Sequence, residues 1–445
     1  MLGVSRGGVG RPGRATNDPK GGGRMFKFLH AADIHLDSPL RGLDRYEGCP
    51  SEEIRGATRK AMENLVRLAI DEAVAFVLIA GDVYDGDWKD HNTGLWFVKQ
   101  MARLRDAKIK VFLIRGNHDA RNKMTRELRL PDNVTSLDVD RPQTCRLDHV
   151  PVAIHGQGFA SQAVSEDLAS RYPTADPGCF NVGLLHTSLT GREGHDRYAP
   201  CTVESLRTKN YGYWALGHVH AREVVDGTEA PIVFPGNVQG RHIREDGAKG
   251  CYVVTVEGHR VASHDFHALD VLRWETCPLD ASGATDGDDL LQQFEAALPT
   301  LLEAADGRAL ALRVEVTGAS AVHEKLLATK HDWAQEIRGQ GITHGSDRIW
   351  VEAVKLKTRP LKLGEGEPGD GPVAQLDRLI AELRGDDSAL RTFADRELAD
   401  LRKKLPAELK RAELVDLDEP DWLRSVLDQV RPLLADRLEA AKGPR

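Results

Sequence analysis

The sequence predicts an α/β fold: a two-layered β-sandwich flanked by helices, then a small α+β capping domain and a C-terminal helical tail. Three observations carry this expectation. Short apolar runs alternate with amphipathic stretches early in the chain, the β-α-β order that gives parallel strands with helical crossovers. Islands bearing Asp, Asn or His follow directly on those runs, as they do where strand ends converge on one crevice of an open sheet. A chain of 445 residues, 41% hydrophobic and 29% charged, is long enough for two or three domains with sizeable cores.

Residues 1–24 are rich in Gly and Arg and lack the apolar stretch of a signal peptide. The strand pattern begins at Met25, so Met25 is read as the real or alternative start and 1–24 as a disordered extension. Residues 26–31 form the first strand, and 55–73 carry Ala57, Ala61, Leu65, Leu68 and Ala69 at helical spacing. The apolar run at 76–80 reads as a strand buried on both faces. A second amphipathic helix over 93–107 leads to a strand at 111–114. Beyond 145 come short strands at 150–155, 182–185, 213–216, 232–234 and 252–256 with few helices between them, which predicts a second, largely β layer. The main domain is thus expected to span 25–270.

From 271 the motifs stop. Helix at 288–303, strand at 310–316, helix at 321–338 and strand at 349–357 make the capping domain, 271–362. Gly, Glu and Pro mark 363–372 as a linker. The tail, 373–445, carries three apolar stripes: Leu376, Leu379, Ile380 and Leu383; Leu390, Phe393, Leu398 and Leu401; Leu423, Val426, Leu427 and Val430. Such stripes must be buried, either on a partner or on the chain's own capping domain.

Net charge is −8, so any grip on nucleic acid must come from a local basic surface or a partner. The six cysteines are scattered without a CxxC pair, which argues against a zinc ribbon or a disulfide framework and fits a reducing, cytoplasmic setting. No stretch approaches the ~18 uncharged apolar residues of a membrane helix, so no membrane association is expected.

Five islands carry the chemistry. Asp33-Ile34-His35 projects a carboxylate and an imidazole in one direction, a pairing suited to Mn, Fe or Zn, although such a motif alone is more often a turn. Gly81-Asp82-Val83-Tyr84-Asp85 leaves a buried strand with a carboxylate that can bridge two cations or cap a helix. Gly116-Asn117-His118-Asp119 offers a neutral oxygen ligand beside an imidazole free to face a substrate; its bland alternative is turn chemistry. His186 ends an apolar run, and Gly217-His218-Val219-His220 sets two imidazoles on one side of an extended segment. Together they make a two-metal site the leading hypothesis.

In this order the islands resemble the calcineurin-like metallophosphoesterase superfamily. The opening residues 28–36, the Gly81–Asp85 island and Phe234-Pro235-Gly236-Asn237 are similar to its DNA-repair nuclease branch, the SbcD-type and YhaO-type proteins. The motifs support this over 25–270; over 271–360 only the pattern of a capping domain does, and the tail carries none of it. The resemblance implies one metal held by Asp33, His35, Asp82 and His220, and another by Asp82, Asn117, His186 and His218. It implies His118 as the catalytic group acting on the substrate oxygens, with Asp85 orienting it; some relatives carry a second His at that position. It further implies two divalent ions, with Mn²⁺ expected, cleavage of DNA by an exonuclease or endonuclease, and an SMC-like coiled-coil ATPase of SbcC type gripped by the C-terminal helices. A homodimer is left open.

Arg41, Arg121 and Arg241, each near an island, are candidate contacts to a DNA backbone, with a solvated face as the alternative. His195 is a further candidate for substrate contact, and His30 reads as packed within its strand. Two other functions remain: a phosphatase or cyclic-nucleotide phosphodiesterase for a small substrate, and a non-catalytic scaffold for the ATPase. Asp119 stands where a protein phosphatase would have Glu, and every expected ligand is present, which disfavours both.

Overall fold

Alternate residues of Met25–Ala31 (β1) enter two different cores: Phe26 and Phe28 on one face, Leu29 and Ala31 on the other. The chain continues through α1 (Ala57–Asp71), β2 (Phe76–Ile79), α2 (His91–Asp106), β3 (Lys110–Leu113), α3 (Asn117–Arg121) and β4 (Val134–Ser136). Then come β5 (Gln143–Arg146), β6 (Val152–Gly156), β7 (Phe180–His186), α4 (Val203–Arg207), β8 (Tyr213–Gly217), β9 (Glu223–Asp226), β10 (Ile232–Phe234), β11 (Gly250–Glu257) and β12 (Arg260–Ala268). This computed structural model describes residues 25–38, 40, 56–85, 91–121, 128–189, 198–227, 230–345, 348–361, 371–404 and 419–440. The extension 1–24, most of the expected linker, Arg41 and His195 lie outside them.

Two six-stranded mixed sheets form, ordered β12-β11-β1-β2-β3-β4 and β5-β6-β7-β8-β10-β9. β1, β2, β3 and β4 are mutually parallel, as are β6, β7, β8 and β10. Between the sheets lies an aromatic core of Phe28, Phe76, Phe112, Phe180 and Tyr213, with Phe28 and Phe76 stacked at 5.0 Å. α1 and α2 cover the outer face of the first sheet through Leu65, Phe97 and Met101. Phe159, Tyr172, Leu206 and Trp214 fill a third core on the second sheet. One expectation is corrected: β11 does not join the second layer but pairs antiparallel with β1 in the first. The reason is that β2 occupies only one edge of β1; the other edge needs a partner for its backbone groups.

By contacts the chain divides into two units. One takes the described residues up to Glu275 with Gly307–Ala311; the other takes Thr276–Asp306 and the described residues from Leu312 onward. A three-stranded sheet, β13 (Leu272–Asp280), β14 (Ala309–Ser320) and β15 (Ile349–Pro360), is accompanied by α5 (Gly287–Ala304), α6 (His323–Ala328) and α7 (Lys330–Gly345). The second unit also holds α8 (Pro372–Gly385), α9 (Asp387–Glu397), α10 (Ala399–Lys404) and α11 (Pro420–Ala440). Leu383, Leu390, Ala394 and Leu423 pack α8, α9 and α11 together, and Arg431 of α11 pairs with Asp377 of α8 and Glu324 of α6.

Candidate metal centre

All five islands sit at or just beyond the C-terminal ends of parallel strands: β1, β2 and β3 of one sheet, β7 and β8 of the other. Aligned strand ends bring side chains distant in sequence into one crevice. The backbone turns sharply there. Asp33, His35, Asp82 and His218 adopt positive φ (50°, 46°, 52° and 99°), a region costly for residues with a Cβ. Backbone bonds fix two of these turns: Asp33 N donates to Gly81 O and His35 N to Asp82 O, both at 3.0 Å. Gly81 itself has φ +93°, and a Cβ there would lie 2.5 Å from His186 Nδ1; one on Gly116 would collide with the Asp82 carboxylate.

Three overlapping groups place ligand atoms within 4.8 Å of one another: Asp33, His35 and His220; His35, Asp82 and His118; Asp33, Asp82 and His186. Asp82 Oδ2 lies 3.9 Å from His35 Nε2 and 3.6 Å from His186 Nε2. His220 Nε2 is 3.9 Å from Asp33 Oδ1 and 3.2 Å from His35 Nε2. Asn117 Oδ1 is 2.9 Å from His186 Nε2. His218 packs its ring edge-on against His186 at 5.2 Å and Tyr198 at 5.3 Å.

The donor set fits divalent cations. His186 Nδ1 lies 2.9 Å from the Ala80 carbonyl, which can only accept, so Nδ1 carries the proton and the Nε2 lone pair faces Asn117 Oδ1 and Asp82. His220 Nδ1 donates to Glu245 Oε1 at 2.7 Å, so its Nε2 lone pair points at His35 and Asp33. Lone pairs and carboxylates converging in a buried space repel unless a cation sits among them. The titration directions agree. Burial, then the neighbouring Asp82 charge, pushes the Asp33 carboxyl well above the usual range. Burial drives the His35 imidazole down to about 3 and lowers that of His186, which keeps both neutral and able to ligate.

Beside this cluster stands an acid–base pair. Asp85 Oδ1 is 3.0 Å from His118 Nδ1 and 3.6 Å from His35 Nδ1, while Ser38 Oγ donates to Asp85 Oδ2 at 2.7 Å. Burial works to raise the Asp85 pKa, yet hydrogen bonds from His118 and Ser38, with the His35 imidazole close by, hold it far below the carboxylate range. Burial likewise opposes charge on His118, but the Asp85 hydrogen bond and the Asp82 and Asp85 charges outweigh it and raise its pKa. A cleft of roughly 660 Å³ opens over Asp82, Asn117, His118, His218 and His220, walled by Gln162, Tyr198, Arg241, His242, Arg244 and Lys249.

Every island named in the sequence reaches this crevice. Arg241 reaches its wall too, with the guanidinium paired to Glu245 at 2.8 Å. Arg121 ends α3, its side chain outside the described part. His30 is buried between the sheets, bonded to Tyr213 Oη and the Leu216 carbonyl, both at 3.1 Å. Three contributors went unread. Glu245 holds His220. Ser38 holds Asp85. Asp119 accepts the backbone N–H groups of Val83, Tyr84 and Gly116, tying the loop after β3 to the loop after β2; burial, then the Asp82 charge, raises its pKa to about 7. Only Asp119 stood inside a motif.

The fold and this cluster define a class. Residues 26–222 match the calcineurin-like phosphoesterase family, and the chain belongs to the calcineurin-like metallophosphoesterases. Within that class it is YhaO-type: residues 274–359 match the middle domain of metallophosphoesterase YhaO. The uncharacterized metallophosphoesterase YhaO of Bacillus subtilis is 35% identical over 271 residues, 60% of this chain and 66% of that protein, so the chain spans just under two thirds of that relative. The DNA double-strand break repair protein Mre11 of Methanopyrus kandleri is 22% identical over 395 residues, 80% of this chain and 76% of that protein. The SbcD component of nuclease SbcCD of Staphylococcus epidermidis is 23% identical over 278 residues, 56% of this chain and 71% of that protein. Among the described residues no helix is long and apolar enough to cross a membrane.

Proposed function

We propose that the chain is a two-metal phosphodiesterase acting on DNA, in repair, with exonuclease or endonuclease activity. Asp33, His35, Asp82 and His220 would hold one ion; Asp82, Asn117, His186 and His218 would hold the other. The observation that carries this reading is the position of Asp82, one carboxylate oxygen within 4 Å of imidazoles from both sets. When bound, a pair of divalent ions supplies an acidified water and charge stabilisation on the attacking and leaving oxygens. His118, its Nδ1 held by Asp85, presents Nε2 to the cleft and delivers a proton to the leaving oxygen, or stabilises charge there. Arg241, Arg244 and Lys249 give the wall basic groups for phosphate. DNA as substrate is supported by the names of the Mre11 and SbcD relatives, a DNA double-strand break repair protein and a nuclease subunit; an SMC-like SbcC-type ATPase as partner is what the resemblance to SbcD-type proteins implies.

The test is cleavage by metal-stripped protein reloaded with Mn²⁺, Mg²⁺ or neither, on duplex DNA, single-stranded DNA and a nitrophenyl phosphodiester. Two ions per chain are expected, with Mn²⁺ above Mg²⁺, because four of the seven ligands are imidazoles and Mg²⁺ prefers oxygen. Fewer than one ion per chain overturns the metal assignment. Ester hydrolysis without DNA cleavage moves the substrate to a small phosphoester, and inactivity with both ions bound favours a scaffold.

A further inference from the structure

The last islands leave a short segment, residues 236–245, that the metal and acid roles do not use. Its centre is Glu245, 4% exposed. Oε1 accepts from His220 Nδ1 at 2.7 Å and from Arg241 Nη2 at 2.8 Å. Oε2 accepts from the Arg241 backbone N and from Asn237 Nδ2, both at 2.8 Å. Arg241 Nη2 also lies 3.1 Å from His220 Nδ1, the two donors meeting at the same carboxylate oxygen. The approach is fixed by backbone: Gly236 has φ +76°, and a Cβ there would lie 2.7 Å from the His220 carbonyl.

We infer that Glu245, clamped by Asn237 and Arg241, is the positioning residue for His220. A carboxylate on Nδ1 sets the tautomer, orients the ring and raises the basicity of Nε2 toward the ion. The clamp keeps the carboxylate itself in one place, since each oxygen has at least two donors. This also gives the Phe234-Pro235-Gly236-Asn237 run a physical purpose: Gly236 allows close approach to His220, and Asn237 holds Glu245. The inference rests on the proposed ligand role of His220, and not on any particular substrate.

The experiment is Mn²⁺ titration calorimetry of the full chain, comparing wild type, Glu245→Gln, Asn237→Ala and, as a reference, His220→Ala. Gln keeps the shape and an accepting oxygen while losing the charge. Glu245→Gln is expected to weaken one of two Mn²⁺ sites by about 10- to 100-fold, the usual cost of losing such a partner, and to leave the other unchanged. Asn237→Ala should weaken the same site less. Metal-free melting temperature is measured alongside: a purely structural role for Glu245 would lower it and leave Mn²⁺ affinity intact. If Glu245→Gln fails to fold, Asn237→Ala carries the test. Unchanged affinity at both sites in a folded variant overturns the inference. If His220→Ala leaves both sites intact, the ligand assignment fails instead. If wild type binds two ions and cleaves no DNA while Glu245→Gln weakens one, only the substrate reading fails.

Discussion

At the scale of single residues, binding and chemistry separate. His118 lies against Asp85 rather than between the two imidazole sets, whereas Asp82 lies within reach of both. His118→Ala is therefore expected to retain two Mn²⁺ per chain and lose at least about 100-fold in single-turnover rate, the usual scale of general acid catalysis. Asp82→Ala should lose metal and activity together. Elemental analysis with single-turnover kinetics checks both; a wild-type rate for His118→Ala removes its role. The island residues were legible because a motif of Asp, Asn and His directly after an apolar run is rare and aimed in a known direction. Glu245 was not, because it is one of 68 acidic residues and its meaning comes only from the turn that returns it to His220. Arg241 was legible as basic and near the site, but sequence could not show that its guanidinium meets Glu245.

At the scale of elements, the strands with continuous apolar character were readable: β1, β2, β3, β6, β7, β8, β10 and β11. The ones missed are edges or short pieces. β5 and β12 have no fully buried residue, β13 is an edge of the three-stranded sheet, and β4 and β9 are only three and four residues long. Such strands exist because a neighbour offers backbone groups, not because their own sequence demands it. Sheet membership was equally hidden, since β11 is buried on both faces, as a central strand of either sheet would be. What joins the sheets includes a polar contact. His30 on β1 donates from Nε2 to Leu216 O on β8 and accepts from Tyr213 Oη through Nδ1. Burial lowers its pKa from 6.5 to about 3. The folded value is depressed, so the stability that the neutral ring contributes is full above pH 6.5 and is lost as pH falls toward 3. His30→Ala strands two buried polar groups and opens a cavity, at about 2–4 kcal/mol. Urea unfolding should show that deficit at pH 7 and a smaller difference from wild type at pH 5. A difference that does not narrow would mean the ring is already charged in the folded protein.

At the scale of the whole molecule, the second unit offers a surface that the catalytic chemistry does not use. Its helical tail buries one face: Leu383, Leu390 and Leu423 meet, with Trp422 and Leu427 against them. α11 keeps another face outward. Val430, Leu433 and Leu434 are 37%, 56% and 39% exposed, at the spacing of one helical stripe, and Leu379 on α8 is 49% exposed. Arg431 lies among them but turns inward to Asp377 and Glu324, so the helix is anchored while its apolar stripe stays open. The proposed coiled-coil ATPase is the occupant expected there, by a helix-in-groove contact. Deleting the tail would unpair Glu324 and expose α6, so point changes on the outward stripe are the sharper test. Leu433→Ser with Leu434→Ser removes apolar contact area without touching the buried residues, and is expected to leave melting temperature, Mn²⁺ content and nitrophenyl-ester hydrolysis unchanged. Association with the ATPase, measured by co-purification and titration, should weaken at least 10-fold, because each buried Leu side chain contributes about 1.5–3 kcal/mol. Full-affinity binding by the double variant would place the contact elsewhere. A variant that unfolds would show that this stripe packs on its own chain.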